Sequence, residues 1–304
     1  MTRTIVIICA YFTILFVLAG CSNQPSAWTL RLLDSSSKYT EVDFDEFTNS
    51  VWLSTFQDSS MGIYDFDNAE FSVENLPDEY QQLTTCIADS VWVVTTDKTL
   101  LKQDKQTNSW EVVLLENFIL KTCRTLPNGD VVLYSDTRIF FPETFSEVVI
   151  PASVGSILDF TKDRNQTLWV LTTEGGVWGY SDQSWTKYGD VTNVDAMCLC
   201  GEDDLCIFGD NSLYRWKKSS GAFSLEKLLV EQSLSIYDAI VFLPDNRLFW
   251  ETTTNLWSID ESGLKKINLP IGVNRIWSID TDTRSNLFVL TNLGLFYLET
   301  TMVP

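Results

Sequence analysis

Six acidic side chains stand in short polar links that each follow an apolar run: Asp58, Asp97, Asp136, Glu174, Asp210 and Glu251. Carboxylates gathered at the mouth of a channel would bind Ca2+ or a cationic ligand through oxygen, so these six form a candidate ligand face. Solvated hairpin tips account for the same residues. No link follows the EF-hand pattern, and no metal site is assigned.

The second reactive set is cysteine. Of seven cysteines, Cys9 lies in an apolar N-terminal stretch and Cys21 just after it, which leaves Cys86, Cys123, Cys198, Cys200 and Cys206. Outside the cytoplasm such thiols tend to pair, and an odd number leaves one free. Either Cys198 or Cys200 could bridge to Cys206 across one hairpin, and Cys86 could bridge to Cys123. A core position explains Cys206 as well, because it stands where similar segments carry Trp, Val or Phe. The Cys198-x-Cys200 spacing is not that of a usual zinc site, and histidine cannot complete one.

The chain has no histidine at all. That removes Ser-His-Asp and Cys-His catalysis and every imidazole metal ligand, and leaves carboxylate, Lys, Tyr or Cys as the only possible general base. With 41 acidic against 21 basic residues the net charge is -20. Phosphate binding depends on Lys and Arg, so nucleic acid is not an expected partner.

The elements that must position these residues are legible as a repeat. Apolar runs recur at Val51-Trp52-Leu53, Val91-Trp92-Val93, Val131-Val132-Leu133, Leu168-Trp169-Val170, Leu205-Cys206-Ile207, Leu248-Phe249-Trp250 and Leu287-Phe288-Val289, with centres 37 to 43 residues apart. A polar link and a second β-like run follow each, as in Gly176-Val177-Trp178. Most units carry another apolar run upstream, such as Ile157-Leu158-Asp159-Phe160, and turn residues such as Asp163-Arg164-Asn165 separate the two. A more polar fourth run, clearest at Trp110-Glu111-Val112-Val113 and Trp185-Thr186-Lys187-Tyr188, closes some units. Four short strands per unit, seven times over with no helical period, predict an all-β, seven-bladed β-propeller. The last unit has room for three strands. The unassigned segment from Trp28 to Leu33 therefore belongs on the outer edge of the last blade, and the segment from Tyr39 to Phe44 inside the first. Most tryptophans (Trp52, Trp92, Trp169, Trp178, Trp250, Trp257) fall at blade-core positions, whereas Trp28, Trp110 and Trp185 are expected to be exposed.

Two resemblances add to this. Arg3, the apolar stretch from Ile5 to Ala19 and the segment Leu18-Ala19-Gly20-Cys21 resemble the signal peptide and lipobox of bacterial lipoproteins. The resemblance implies removal of residues 1–20, lipid on Cys21, a tether over 21–27 and a propeller domain over 28–304. The stretch is shorter than a membrane-spanning helix needs. Acylation would anchor the protein to a membrane outside the cytoplasm, and Ser22 would favour an outer membrane where one exists. The unit from Asn165 to Tyr188 resembles the two-component-regulator propeller repeat, which implies an extracytoplasmic binding role. The expected function is a ligand- or protein-binding scaffold without catalytic residues or cofactor, its partner an envelope protein or small ligand. The alternative is a lactonase- or lyase-like enzyme. Antibiotic lyases on similar propellers depend on histidine, so that alternative would need Glu, Asn and Asp from several blades around a divalent metal in the channel.

Overall fold

A computed structural model describes residues 28–300, apart from 36–37, 47, 78–79, 106, 114–119, 127–129, 201–203, 210–211, 220–221, 231–239, 243–247, 253, 261–262, 283 and 285. Every regular element among them is a strand. After β1 (Trp28–Asp34), blade 1 contains β2 (Glu41–Asp45), β3 (Ser50–Ser54), β4 (Ser60–Asp65) and β5 (Glu70–Asn75). Blade 2 contains β6 (Gln82–Ile87), β7 (Val91–Thr95), β8 (Leu100–Asp104) and β9 (Ser109–Val113), and blade 3 β10 (Thr122–Thr125), β11 (Val131–Tyr134), β12 (Arg138–Phe141) and β13 (Ser146–Val149). Blade 4 contains β14 (Ile157–Lys162), β15 (Leu168–Thr172), β16 (Gly176–Ser181) and β17 (Ser184–Asp190), and blade 5 β18 (Val194–Leu199), β19 (Leu205–Gly209), β20 (Ser212–Ser219) and β21 (Ala222–Val230). Blade 6 contains β22 (Ile240–Phe242), β23 (Leu248–Thr252), β24 (Asn255–Asp260) and β25 (Gly263–Ile267). Blade 7 takes β26 (Ile276–Thr281), β27 (Leu287–Thr291) and β28 (Gly294–Thr300), with β1 as its outer strand.

The chain is therefore a seven-bladed propeller, each blade a four-stranded antiparallel sheet. The first strands of successive blades touch one another and form the inner wall. Burial follows radial position. The second strands β3, β7, β15, β19 and β27 are buried at every residue, whereas the outer strands β5, β9, β13 and β17 are mostly exposed. Strands covered on both faces by neighbouring blades read as continuous apolar runs, which is why the second strands carry the visible repeat.

The core is divided into separate apolar clusters, each between two adjacent blades. Trp52, Met61, Val91 and Leu101 join blades 1 and 2, and Trp169, Met197, Ile207 and Trp216 join blades 4 and 5. Trp52, Trp92 and Trp169 are buried as expected. The expectation of exposure at Trp110 and Trp185 is corrected, since both are half-buried. Each ring leans over a neighbouring blade, where Trp110 Nε1 meets Glu74 Oε1 at 3.4 Å and Trp185 Nε1 donates to the Val149 carbonyl at 3.2 Å. The side chains of Trp28 and Trp250 lie outside the described set.

Ring closure follows the predicted clasp. Strand β1 runs antiparallel to β28 from Trp28 opposite Thr300 to Asp34 opposite Leu295, and β2 forms the inside of blade 1. Gly294 is the tight point, with φ +120° and the Asp34 carbonyl oxygen 1.9 Å from where a Cβ would sit. Only glycine allows the returning strand this close. Gly175 plays the same part in blade 4, at φ +86° against the Val191 carbonyl.

The turns use short polar chemistry. Between β14 and β15, Asp163 Oδ1 accepts the Thr167 amide at 2.8 Å and Oδ2 accepts Trp169 Nε1 at 3.0 Å. Between β26 and β27, Asp282 Oδ1 accepts the Asn286 amide at 2.8 Å. Carboxylate capping of a tight turn is the physical content of the Asp-rich punctuation seen in the sequence.

Candidate functional site

Strand alternation places the links between second and third strands on one face, together with the links between blades. Backbone bonds tie the two sets together: Gln57 donates to Gln82, Thr96 to Gln81, Thr173 to Ser156 and Asn292 to Arg275, at 2.8 to 3.0 Å. Most of the predicted acidic set lies on this face, but Asp58, Asp97 and Asp136 are engaged locally. Asp58 Oδ1 accepts the Ser59 amide at 2.8 Å, and its other oxygen is 3.8 Å from Lys38 Nζ. Asp97 accepts the Thr95 hydroxyl and the Thr99 amide, and the Thr95 bond holds its carboxyl below the usual range. Asp136 pairs with Lys121. Glu174 is exposed at its tip.

Glu251 departs from the expectation of an exposed link. It belongs to β23, opposite Leu256, and is only 2% accessible. Asp210 and Cys21 lie outside the described residues. Among the described residues no three Cys, Asp or Glu side chains come close enough to hold a metal ion. The carboxylates thus share a face without converging, because the second-to-third links stand part-way out along each blade while the channel is walled by the first strands.

The groups that do meet are on those first strands. Asp159 of blade 4 pairs with the Arg124 guanidinium of blade 3 and accepts the Met197 amide of blade 5 at 2.7 Å. One carboxylate thus links three consecutive blades. The ion pair raises the Arg124 pKa, and burial raises that of the Tyr134 phenol.

A carboxylate pair lies at the ring closure. Asp280 of β26 accepts the Phe44 amide of β2 at 2.6 Å, and Asp43 of β2 lies close enough to repel it. Both are half-buried. Dehydration is the main influence on each, and pushes Asp280 up to about 7. Asp43 is held well above the usual carboxylate range by burial, then by Asp280, then by Glu41. With both carboxyls raised, this part of the wall disfavours carrying two charges at once.

These inner residues were not singled out from the sequence. The available signal was the Asp-Phe doublet that recurs at Asp43-Phe44 and Asp159-Phe160. In both, Phe packs between blades, while Asp159 reaches the following blade and Asp43 faces Asp280 of the preceding one.

Among the cysteines, the structure joins Cys86 to Cys123, with Cα atoms 6.1 Å apart, across the first strands of blades 2 and 3. It joins Cys200 to Cys206 within blade 5, with Cα atoms 5.5 Å apart, and leaves Cys198 as a buried free thiol. Burial raises the Cys198 pKa well above the ordinary thiol range, with smaller opposed effects from Asp159 and Arg124.

No protein-family model matches the chain, and no curated protein matches it. Solved structures do. Virginiamycin B lyase from Staphylococcus aureus is similar with TM-score 0.69 and 13% identity over 91% of this chain and 99% of that one. YCF48 bound to D1 peptide is similar with TM-score 0.68 and 12% identity over 93% and 97%. The extracellular domain of BT3049 from B. thetaiotaomicron is similar with TM-score 0.62 and 15% identity, over 91% of this chain and 42% of that one. At these identities the likeness is one of fold, shared by an enzyme and by non-enzymes.

Proposed function

We propose that this chain is an extracytoplasmic propeller lipoprotein, anchored through lipid on Cys21, that works as a binding scaffold and has no catalytic centre of its own. The observation that carries the reading is the doubly fastened ring. The β1 clasp closes it, the Cys86–Cys123 bridge ties two blades together, and the interblade links are bonded to the second-to-third links along one face. A stiff frame that displays many loops suits recognition, and two bridges suit an oxidising compartment. The extracellular propeller of BT3049 and the peptide-bound form of YCF48 support the same reading by analogy of fold. On this reading Asp58, Asp97, Asp136, Glu174 and Asp210 belong to the binding face, where they supply negative potential rather than a metal cage. The partner is an envelope protein or a small cationic ligand.

Two measurements test this. Fatty-acid labelling and membrane fractionation of wild type and Cys21→Ala should show loss of both label and membrane association in the variant. A photo-crosslinking side chain at Glu174 should give a discrete adduct in cells, whereas one at Asp182, on the opposite face, should not. Equal labelling of the two faces would count against a one-faced scaffold.

A further inference from the structure

The blade-5 hairpin holds three cysteines where two would suffice. Cys198 and Cys206 are directly opposed in the β18–β19 register, although the bridge runs from Cys206 to Cys200. Cys200 stands just past the end of β18, where its amide donates to the Asp204 carbonyl at 2.8 Å and continues the ladder, so Cys198 and Cys200 both lie on the side of the sheet that carries Cys206. Directly opposed residues in an antiparallel pair have Cα atoms about 4.5–5.5 Å apart, inside the span of about 4.4–6.8 Å that a disulfide bridges. All three side chains are buried.

We propose that Cys198, Cys200 and Cys206 form an exchangeable triad, in which the bond to Cys206 moves between Cys200 and Cys198. The step balances within the chain. The Cys198 thiol gives up its proton, and its sulfur attacks Cys206 Sγ. The Cys198–Cys206 bond forms as the Cys200–Cys206 bond breaks, and Cys200 leaves as a thiolate that takes up the proton Cys198 gave up. One disulfide and one thiol are present before and after, so no oxidant or reductant is consumed. Burial and the Asp159 charge oppose the attacking thiolate, and the Arg124 charge favours it. Burial lowers the thiolate fraction and so slows the exchange.

The shift has a structural consequence. A bond at Cys200 fastens the hairpin near its turn, whereas a bond at Cys198 fastens it within β18, which touches β14 and β22 on either side. The position of the bridge thus bears on the same wall that holds Arg124 and Asp159. This inference rests on the blade-5 cysteines alone and is independent of the lipid anchor.

The test is to equilibrate the mature wild-type protein with a trace of reduced and oxidised glutathione at about pH 8, quench in acid and alkylate after unfolding. Fragment-ion sequencing of the 198–200 peptide then locates the label. In molecules that carry a single label, the triad predicts label on Cys200 as well as on Cys198; label on Cys198 alone in those molecules would overturn it. In Cys200→Ser, the triad predicts a Cys198–Cys206 bond, read as loss of two hydrogens and of alkylation at both sites. A folded variant alkylated at both cysteines would also overturn it. If Cys200→Ser does not fold, the wild-type measurement decides.

Discussion

The Phe44 amide donates to Asp280 Oδ2 at 2.6 Å across the joint where blade 7 meets blade 1. The ring therefore closes on its outer edge through β1 and at its centre through a carboxyl group that sits beside Asp43. The inner contact carries a titration with it, because both carboxyls are held above their ordinary range.

Asp280 keeps its proton to about 7, against an ordinary value of 3.8. Between those values the folded protein binds more protons than the unfolded chain, so this contribution weakens as pH rises through the window. Asp43 acts in the same sense. Asp97, whose carboxyl is lowered, acts oppositely, and its contribution is lost as pH falls through its folded value. The expected outcome is a melting temperature lower at about pH 8 than at about pH 5, with Asp280→Asn flattening the fall and melting about 2–4 °C higher at the alkaline end. Superimposable wild-type and variant profiles would remove the ring-closure carboxyl as the cause.

Gly294→Ala should open the clasp. The new Cβ would meet the Asp34 carbonyl at 1.9 Å in a backbone with φ +120°, so β1 must move away from β28. A loss of about 2 kcal/mol or more is expected, with faster proteolysis near Trp28 before the rest of the ring is cut. Gly272→Ala is the control, because its φ is also positive, at +99°, but its nearest neighbour is only the Leu293 side chain at 3.5 Å. If the two variants are cut equally fast, the close approach at Asp34 is not what seats β1.

Asp159→Ala removes the partner of Arg124 and of the Met197 amide together. A part-exposed guanidinium left without its partner, together with the lost amide contact, should cost about 1–2 kcal/mol, read from denaturant midpoints. Arg124→Met combined with Asp159→Ala should recover part of that loss. A double variant that is no better than Asp159→Ala would show that the Met197 contact, not the ion pair, dominates.

The Cys86–Cys123 bridge closes a loop of 37 residues between two blades. Its removal by paired Ser substitution should lower stability by about 2–4 kcal/mol, and intact-mass analysis without reductant should find it quantitatively oxidised. Wild-type protein carrying free, alkylatable Cys86 would contradict the bridge.

The sequence alone determined the number of blades, the radial order of strands and the clasp. Burial on both faces writes each second strand as an apolar run, and Val51-Trp52-Leu53 through Leu287-Phe288-Val289 repeat that run seven times. It also narrowed the cysteine pairs, because Cys86 and Cys123 fall at neighbouring levels of adjacent first strands. Tertiary structure decided what meets in the channel wall. First strands face neighbouring blades in alternation, so Asp43 and Asp280, far apart in sequence, become neighbours only when the ring closes. It also separated the acidic links. Asp58, Asp97 and Asp136 look alike in sequence, but each is held by the nearest cation, hydroxyl or amide, and Glu251 is drawn into a strand. Local periodicity fixes which side of a strand a residue occupies, while the partner across a blade interface depends on a long-range packing geometry that periodicity does not encode.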